Sequence, residues 1–125
     1  MRLRDVDPVL ARELWVGLAM AGEDDLACAI DELTIVEPCG CDDVACASFY
    51  PVERFQAAWF WGSDGRTIAL RQGLAVDAAG DRIIAVEVVD RPILRQTLRG
   101  EMRVTPVGLR AGQQSGAPVG PVAPR

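Results

Sequence analysis

From Thr67 to Val89 the chain changes side with every residue. Thr67-Ile68-Ala69-Leu70-Arg71 alternates apolar and polar, and Leu74 and Val76 continue the pattern. Arg82 to Val89 then returns beyond the turn Ala78-Ala79-Gly80-Asp81. A period of two throws successive side chains to opposite faces, so this stretch is committed to antiparallel strands and closed to helix. In the returning strand Ile84, Val86 and Val88 share one face, and Ile83, Ala85, Glu87 and Val89 fill the other. Apolar residues on both faces predict a covered, central strand.

The first third of the chain has the other period. Asp7 is a good N-cap and Pro8 suits a first helical position, which predicts a helix over about 8–21. Leu10, Leu14 and Leu18 recur at four-residue spacing, flanked by Ala11 and Trp15. Val9, Val16 and Met20 form a second apolar stripe, to be buried or to serve as a homodimer seam. Beyond Gly22 a second helix is expected over about 23–33. Glu23, Asp24 and Asp25 sit at its dipole-favoured start, Leu26, Ala29, Ile30 and Leu33 share its apolar face, and Cys28 falls on the polar side.

A short strand, Thr34 to Glu37, ends at Pro38, and Ala47 to Tyr50 reads as its hairpin return. Glu53 to Trp61 has no clean period, and its end, Trp59-Phe60-Trp61, leans towards strand. Asp90 can cap a last helix with Pro92 in its first turn and Gly100 near its end. The expected class is therefore α+β: two N-terminal helices, an antiparallel meander sheet of four or five strands, and a C-terminal helix. Residues 1–102 form the domain, and 103–125, rich in Pro and Gly, read as a flexible tail.

Composition removes several chemistries. The 125 residues contain no histidine, and all 13 basic residues are arginine. Ser-His-Asp and Cys-His catalysis, His-containing zinc sites, Schiff-base lysines and the Walker lysine are thereby excluded. The net charge of −5 does not suit nucleic acid or an anionic membrane. It is unevenly spread: residues 1–62 hold four arginines against twelve acidic residues, and residues 63–125 nine against six. The simpler reading is that the halves complement each other. The start, MRLRDVDPVLARELW, carries charge where an apolar signal region should be, so the chain reads as cytoplasmic, with reduced thiols.

Three of the four cysteines fall within Pro38-Cys39-Gly40-Cys41-Asp42-Asp43-Val44-Ala45-Cys46, the tip of the expected hairpin. Three thiolates on one turn suit zinc or another soft ion, with Cys28 as the obvious fourth ligand and Asp42 or Asp43 as weaker ones. The spacing is not the usual pair of Cys-x2-Cys motifs. Two other readings stand beside zinc: a redox pair between Cys46 and Cys39 or Cys41, and small inert residues filling a tight turn. Glu37, Asp42 and Asp43 disfavour a thiolate, which argues against a fast nucleophilic cysteine unless a cation is bound.

Two further groups of residues present surfaces. Arg91, Arg95, Arg99 and Arg103 recur at spacing four, as a phosphate-binding ridge or, more simply, as a solvated face or as partners for the acidic half. On a strand Trp59 and Trp61 would share a side, as a core wall or as a partner-binding face. With its cysteine turn, the Ser48-Phe49-Tyr50 strand and the Val76-Asp77…Gly80…Ile83…Val86-Glu87-Val88 hairpin, the chain resembles small proteins of high-GC bacteria. The resemblance spans roughly residues 5–100 and implies a compact α+β domain without an assigned activity.

The function expected from all this is non-enzymatic. It is that of a small accessory protein that binds or inhibits a basic protein partner through Asp24, Asp25, Asp31 and Glu32 or through Trp59 and Trp61. The alternative is a thiol-based zinc or redox protein built on Cys39, Cys41 and Cys46, with Cys28.

Overall fold

Asp7 carries the first helical segment into the second. In the computed structural model, which describes residues 1–100, α1 spans Leu3–Val6 and α2 spans Pro8–Met20. The Asp7 carboxylate accepts the Leu10 N–H at 3.0 Å, satisfying an amide that the first turn leaves without a partner. Leu10, Ala11, Leu14 and Leu18 are buried along one face. Gly22, at φ 80°, ends α2, and the Glu23 N–H donates back to the Leu18 carbonyl at 2.9 Å. The second apolar stripe is only partly covered: Val9 and Met20 are exposed, and Val16 is half-buried. α3 is Asp24–Ala29, and a 3-10 turn, Ile30–Glu32, completes the segment expected as one helix.

Five antiparallel strands follow: β1 Glu37–Pro38, β2 Phe49–Tyr50, β3 Gly65–Arg71, β4 Leu74–Ala79 and β5 Arg82–Val88. The sheet order is β1-β2-β5-β4-β3. The α+β class and the antiparallel sheet are those the residue pattern predicts, and β5 is indeed the central strand. β3, β4 and β5 run as a meander. The β1-β2 hairpin instead joins the far side of β5, pairing Phe49 with Val86.

That arrangement depends on α4, Arg54–Asp64, in the stretch ambiguous between helix and strand, whose aromatic end leans towards strand in the sequence. The aromatic triplet favours strand locally, but Arg54 to Ala58 contains good helix formers and places the buried Ala57 one turn before Trp61. α4 lies across β3, β4 and β5 and carries the chain from β2, beside the β1 edge, to β3 at the opposite edge. The Trp61 ring comes so close to Gly65 that a side chain there would collide with it, so glycine is required where helix becomes strand.

The core lies between α1–α3 and the sheet. Leu3, Leu10, Leu14, Leu18, Leu26 and Ile30 face Leu74, Val76, Ile84, Val86 and Val88, all nearly inaccessible. Each such side chain contributes about 1.5–3 kcal/mol of transfer free energy. Among the described residues no polar or charged side chain is buried, and no helix is long and apolar enough to cross a membrane. Residues 1–95 form one unit and Gln96 onward a second. α5, Pro92–Arg99, begins in the first unit, where Leu94 is buried. Asp90, at φ 67°, sits in the turn before it, two residues ahead of the helix and so outside the cap position expected for it. Arg103 and the tail 103–125 lie outside the described residues.

Candidate metal centre

The cysteine knuckle is the loop of the β1-β2 hairpin, and its backbone is tied down on both sides. The Cys39 N–H donates to the Ser48 carbonyl at 2.9 Å, extending the ladder past Pro38. Asp43 closes a tight turn, its carboxylate accepting the Ala45 N–H at 3.0 Å and its carbonyl the Cys46 N–H at 3.0 Å. On the β5 side, the Ala47 N–H reaches the Val88 carbonyl and the Asp90 N–H the Ala45 carbonyl, both at 2.8 Å. Cys39 and Cys46 are thereby fixed, and Cys41 rides on the outer arm between them.

The result is that the Sγ atoms of Cys39, Cys41 and Cys46 all lie within 4.8 Å of one another, each side chain half-buried. Two zinc–sulfur bonds of ~2.3 Å at a tetrahedral angle would put the sulfurs ~3.8 Å apart. Closing on an ion therefore needs contractions of about 1 Å at most, within reach of side-chain rotation. All four cysteines are thiols in this structure. Cys28 is exposed on α3 and does not belong to the group that converges.

The three thiols are not equivalent. Burial pushes Cys46 up, but the Ser48 hydroxyl, the Ser48 N–H and hydrogen bonds with Cys41 and Cys39 outweigh it and hold Cys46 below the ordinary thiol range. Cys41 goes the other way. The Asp43 N–H pulls it down, but hydrogen bonds with Cys46 and Cys39, slight desolvation and the Cys39 charge raise it above that range. The expectation that neighbouring carboxylates suppress a thiolate does not carry to Cys46: the contacts with Ser48 and the other two thiols outweigh burial there, while Glu37 is engaged by Arg54 and Asp43 by the Ala45 N–H.

Ser48 and two arginines were not picked out as site residues from the sequence. The Ser48 hydroxyl accepts the Val88 N–H at 3.0 Å and lies 3.4 Å from the Val88 carbonyl. Its spacing two residues after Cys46, on a strand-like segment, was the available signal. Arg54 donates to the Pro38 carbonyl at 2.9 Å, pairs with Glu37 at 3.7 Å and lies over the Tyr50 ring. Arg95 donates to the Cys46 carbonyl at 2.7 Å. The two guanidinium groups thus grip the two ends of the knuckle.

The other expected surface residues lie elsewhere. Asp24 and Asp25 are exposed in the first turn of α3, and Asp31 and Glu32 are exposed in the 3-10 turn, with Glu32 3.7 Å from Arg2. Trp59 and Trp61 do not share a face, because two residues on a helix diverge by about 200°. Trp59 is 77% exposed, whereas Trp61 borders a cleft of about 270 Å³ against Tyr50, Ile84 and Ala85.

Arg91 forms a second polar cluster. It binds both Asp7 carboxylate oxygens at 3.0 Å and Glu13 at 3.4 Å, and Glu13 also holds Arg71 at 2.5 Å. Burial pushes the Asp7 carboxyl up, but the Arg91 hydrogen bond, the Leu10 N–H and the Arg91 charge hold it below the ordinary 3.8. The reading of the arginines as partners for the acidic N-terminal half is met at Arg91. Comparison with family models, curated proteins and solved structures finds no match for the chain.

Proposed function

We propose that this chain is a thiolate metal-binding protein, with Cys39, Cys41 and Cys46 as ligands for one thiophilic ion, zinc first among them. The observation that carries the reading is the convergence of three sulfurs within 4.8 Å on a loop whose backbone is already fixed. Thiolates favour zinc and cuprous copper over hard cations. Preformed Cys39 and Cys46 leave only Cys41 and its short arm to be ordered on binding, so little conformational entropy opposes it. Asp42 and Asp43, the weaker ligands weighed from the sequence, are exposed, and Asp43 is engaged in its own turn.

Native mass spectrometry of reduced, never-chelated protein tests the reading. One metal per wild-type chain is expected, and none in Cys39→Ala or Cys46→Ala. A wild-type chain that stays metal-free in excess zinc and cuprous ion removes it.

A second reading is an accessory protein for a basic partner. It is supported by the exposed acids Asp24, Asp25, Asp31 and Glu32, and by Phe55 and Trp59, exposed one turn apart on α4. Partner affinity that ignores both salt and neutralisation of the four acids removes that surface.

A further inference from the structure

We infer that the ion held by Cys39, Cys41 and Cys46 keeps one coordination position open, and that this position accepts the sulfur of a small exogenous thiol. The inference rests on the metal reading proposed above and adds what the bound ion would do.

The donor count leads to it. Among the described residues no fourth Cys, His, Asp or Glu side chain joins the three converging sulfurs. The remaining cysteine, Cys28, is exposed on α3 outside the group. Residues 101–125 contain no cysteine, histidine or aspartate, and a single glutamate, Glu101. Structural zinc is almost always closed by four protein ligands, whereas zinc with three protein ligands keeps its fourth position for water or substrate. Among the described residues, three thiolates and no fourth side chain therefore define the open kind of site.

Accessibility agrees with this. None of the three cysteines is fully buried, and Cys41 lies on the exposed outer arm beside Gly40, Asp42 and Asp43. An ion at the centre of the three sulfurs sits near the surface, within reach of a small molecule. The surroundings also select the ligand. Arg54 and Arg95 bring two positive charges to the ends of the loop, against Glu37, Asp42 and Asp43. With three thiolates and a divalent ion the local total is negative. Phosphate and carboxylate, hard anions with weak bonds to a soft ion, are disfavoured there. A thiol arrives neutral and forms a strong bond. Its sulfur takes the place of bound water and its proton passes to solvent, so charge and atoms balance without any oxidant.

Cobalt(II) reports on both claims. Phosphine-reduced chain is loaded with one equivalent of cobalt, and its visible bands are followed while 2-mercaptoethanol is added. Four-coordinate bands with sulfur-to-cobalt charge transfer are expected first. Added thiol should then shift the bands and increase the charge transfer, saturating at one thiol per chain. Bands that stay unchanged while the cobalt stays bound overturn the open position, as do bands that vanish because thiol strips the metal. A starting spectrum altered by Cys28→Ala also overturns it, since Cys28 would then close the site. A chain that binds no cobalt, zinc or cuprous ion at all removes the metal reading itself.

Discussion

Two polar clusters lie on this small domain, and they differ in what they leave undone. Around Arg91, opposite charges meet: one guanidinium spans both oxygens of Asp7 and reaches Glu13, which in turn holds Arg71. Around Cys46, like groups meet: three sulfurs converge, each a donor to a cation and none a cation itself. The first cluster is complete as it stands. It joins the start of α2 to the chain beyond β5, closing the domain across 84 residues of sequence. The second is three half-buried thiols close enough together to hold a metal ion. Convergence of unlike charges makes a structural strap, and convergence of soft donors makes a place that a metal ion could occupy.

If that distinction holds, the two clusters respond oppositely to mutation. The largest effect on folding should come from Arg91→Ala. It leaves Asp7 and Glu13, both largely covered, without their shared cation. The loss should be about 2 kcal/mol, less than for a fully buried pair because the side chains keep some solvent. That corresponds to roughly 10 °C in Tm for a domain of this size, measured calorimetrically. Metal stoichiometry should not change. Cys39→Ala and Cys46→Ala should do the reverse in metal-free protein, changing Tm little and abolishing metal uptake. A metal-free Cys46→Ala variant as unstable as Arg91→Ala would break the comparison.

The next effect is a pH dependence confined to the strap. The Asp7 carboxyl lies below 3.8 in the folded chain, so it binds its proton less readily folded than unfolded. Its contribution is fully present above 3.8 and is lost as the pH falls through the lower folded value. Asp7→Asn keeps an oxygen to cap the Leu10 N–H but removes the charge that Arg91 needs. Urea unfolding at pH 7 should find the variant about 1 kcal/mol less stable. At pH 3 the gap should narrow. A gap that is constant between the two pH values would mean that the Arg91 charge contributes nothing at Asp7.

Much of this was legible in the sequence, and the misses have identifiable physics. Leu10, Leu14 and Leu18 announced α2, Asp7 its start, and Ile84, Val86 and Val88 the central strand, because each signal is local and repeated. α4 was missed because Trp59-Phe60-Trp61 has strand propensity, while packing of Ala57 and Trp61 on the sheet outweighs it. The error carried into function, since it put Trp59 and Trp61 on one face. The three cysteines were visible as a cluster because they share one loop. Arg54 and Arg95 at that loop come from other elements, and only the tertiary fold brings them there. Cys28 depends on the tertiary fold in the same way: it is a fourth ligand only if the second helix packs beside the hairpin, and it stands exposed on α3, outside the group of three sulfurs.

The smallest effect distinguishes the cysteines within the knuckle. Ser48 provides two of the donors that hold the Cys46 thiol down, its hydroxyl and its N–H. A hydroxyl has one proton, and it can serve either the Cys46 sulfur or the Val88 carbonyl 3.4 Å away. A sulfur that gains negative charge is the better acceptor, so the proton turns to Cys46 as the thiolate forms. Ser48→Ala keeps the N–H and removes the hydroxyl. In metal-free protein the pH midpoint of Cys46 alkylation, read peptide by peptide by mass spectrometry, should move upward. Ser48→Thr, which restores the hydroxyl, should bring it back. If neither change moves the midpoint, the N–H and the neighbouring thiols alone set Cys46, and Ser48 belongs with the strap, as a structural tie to Val88.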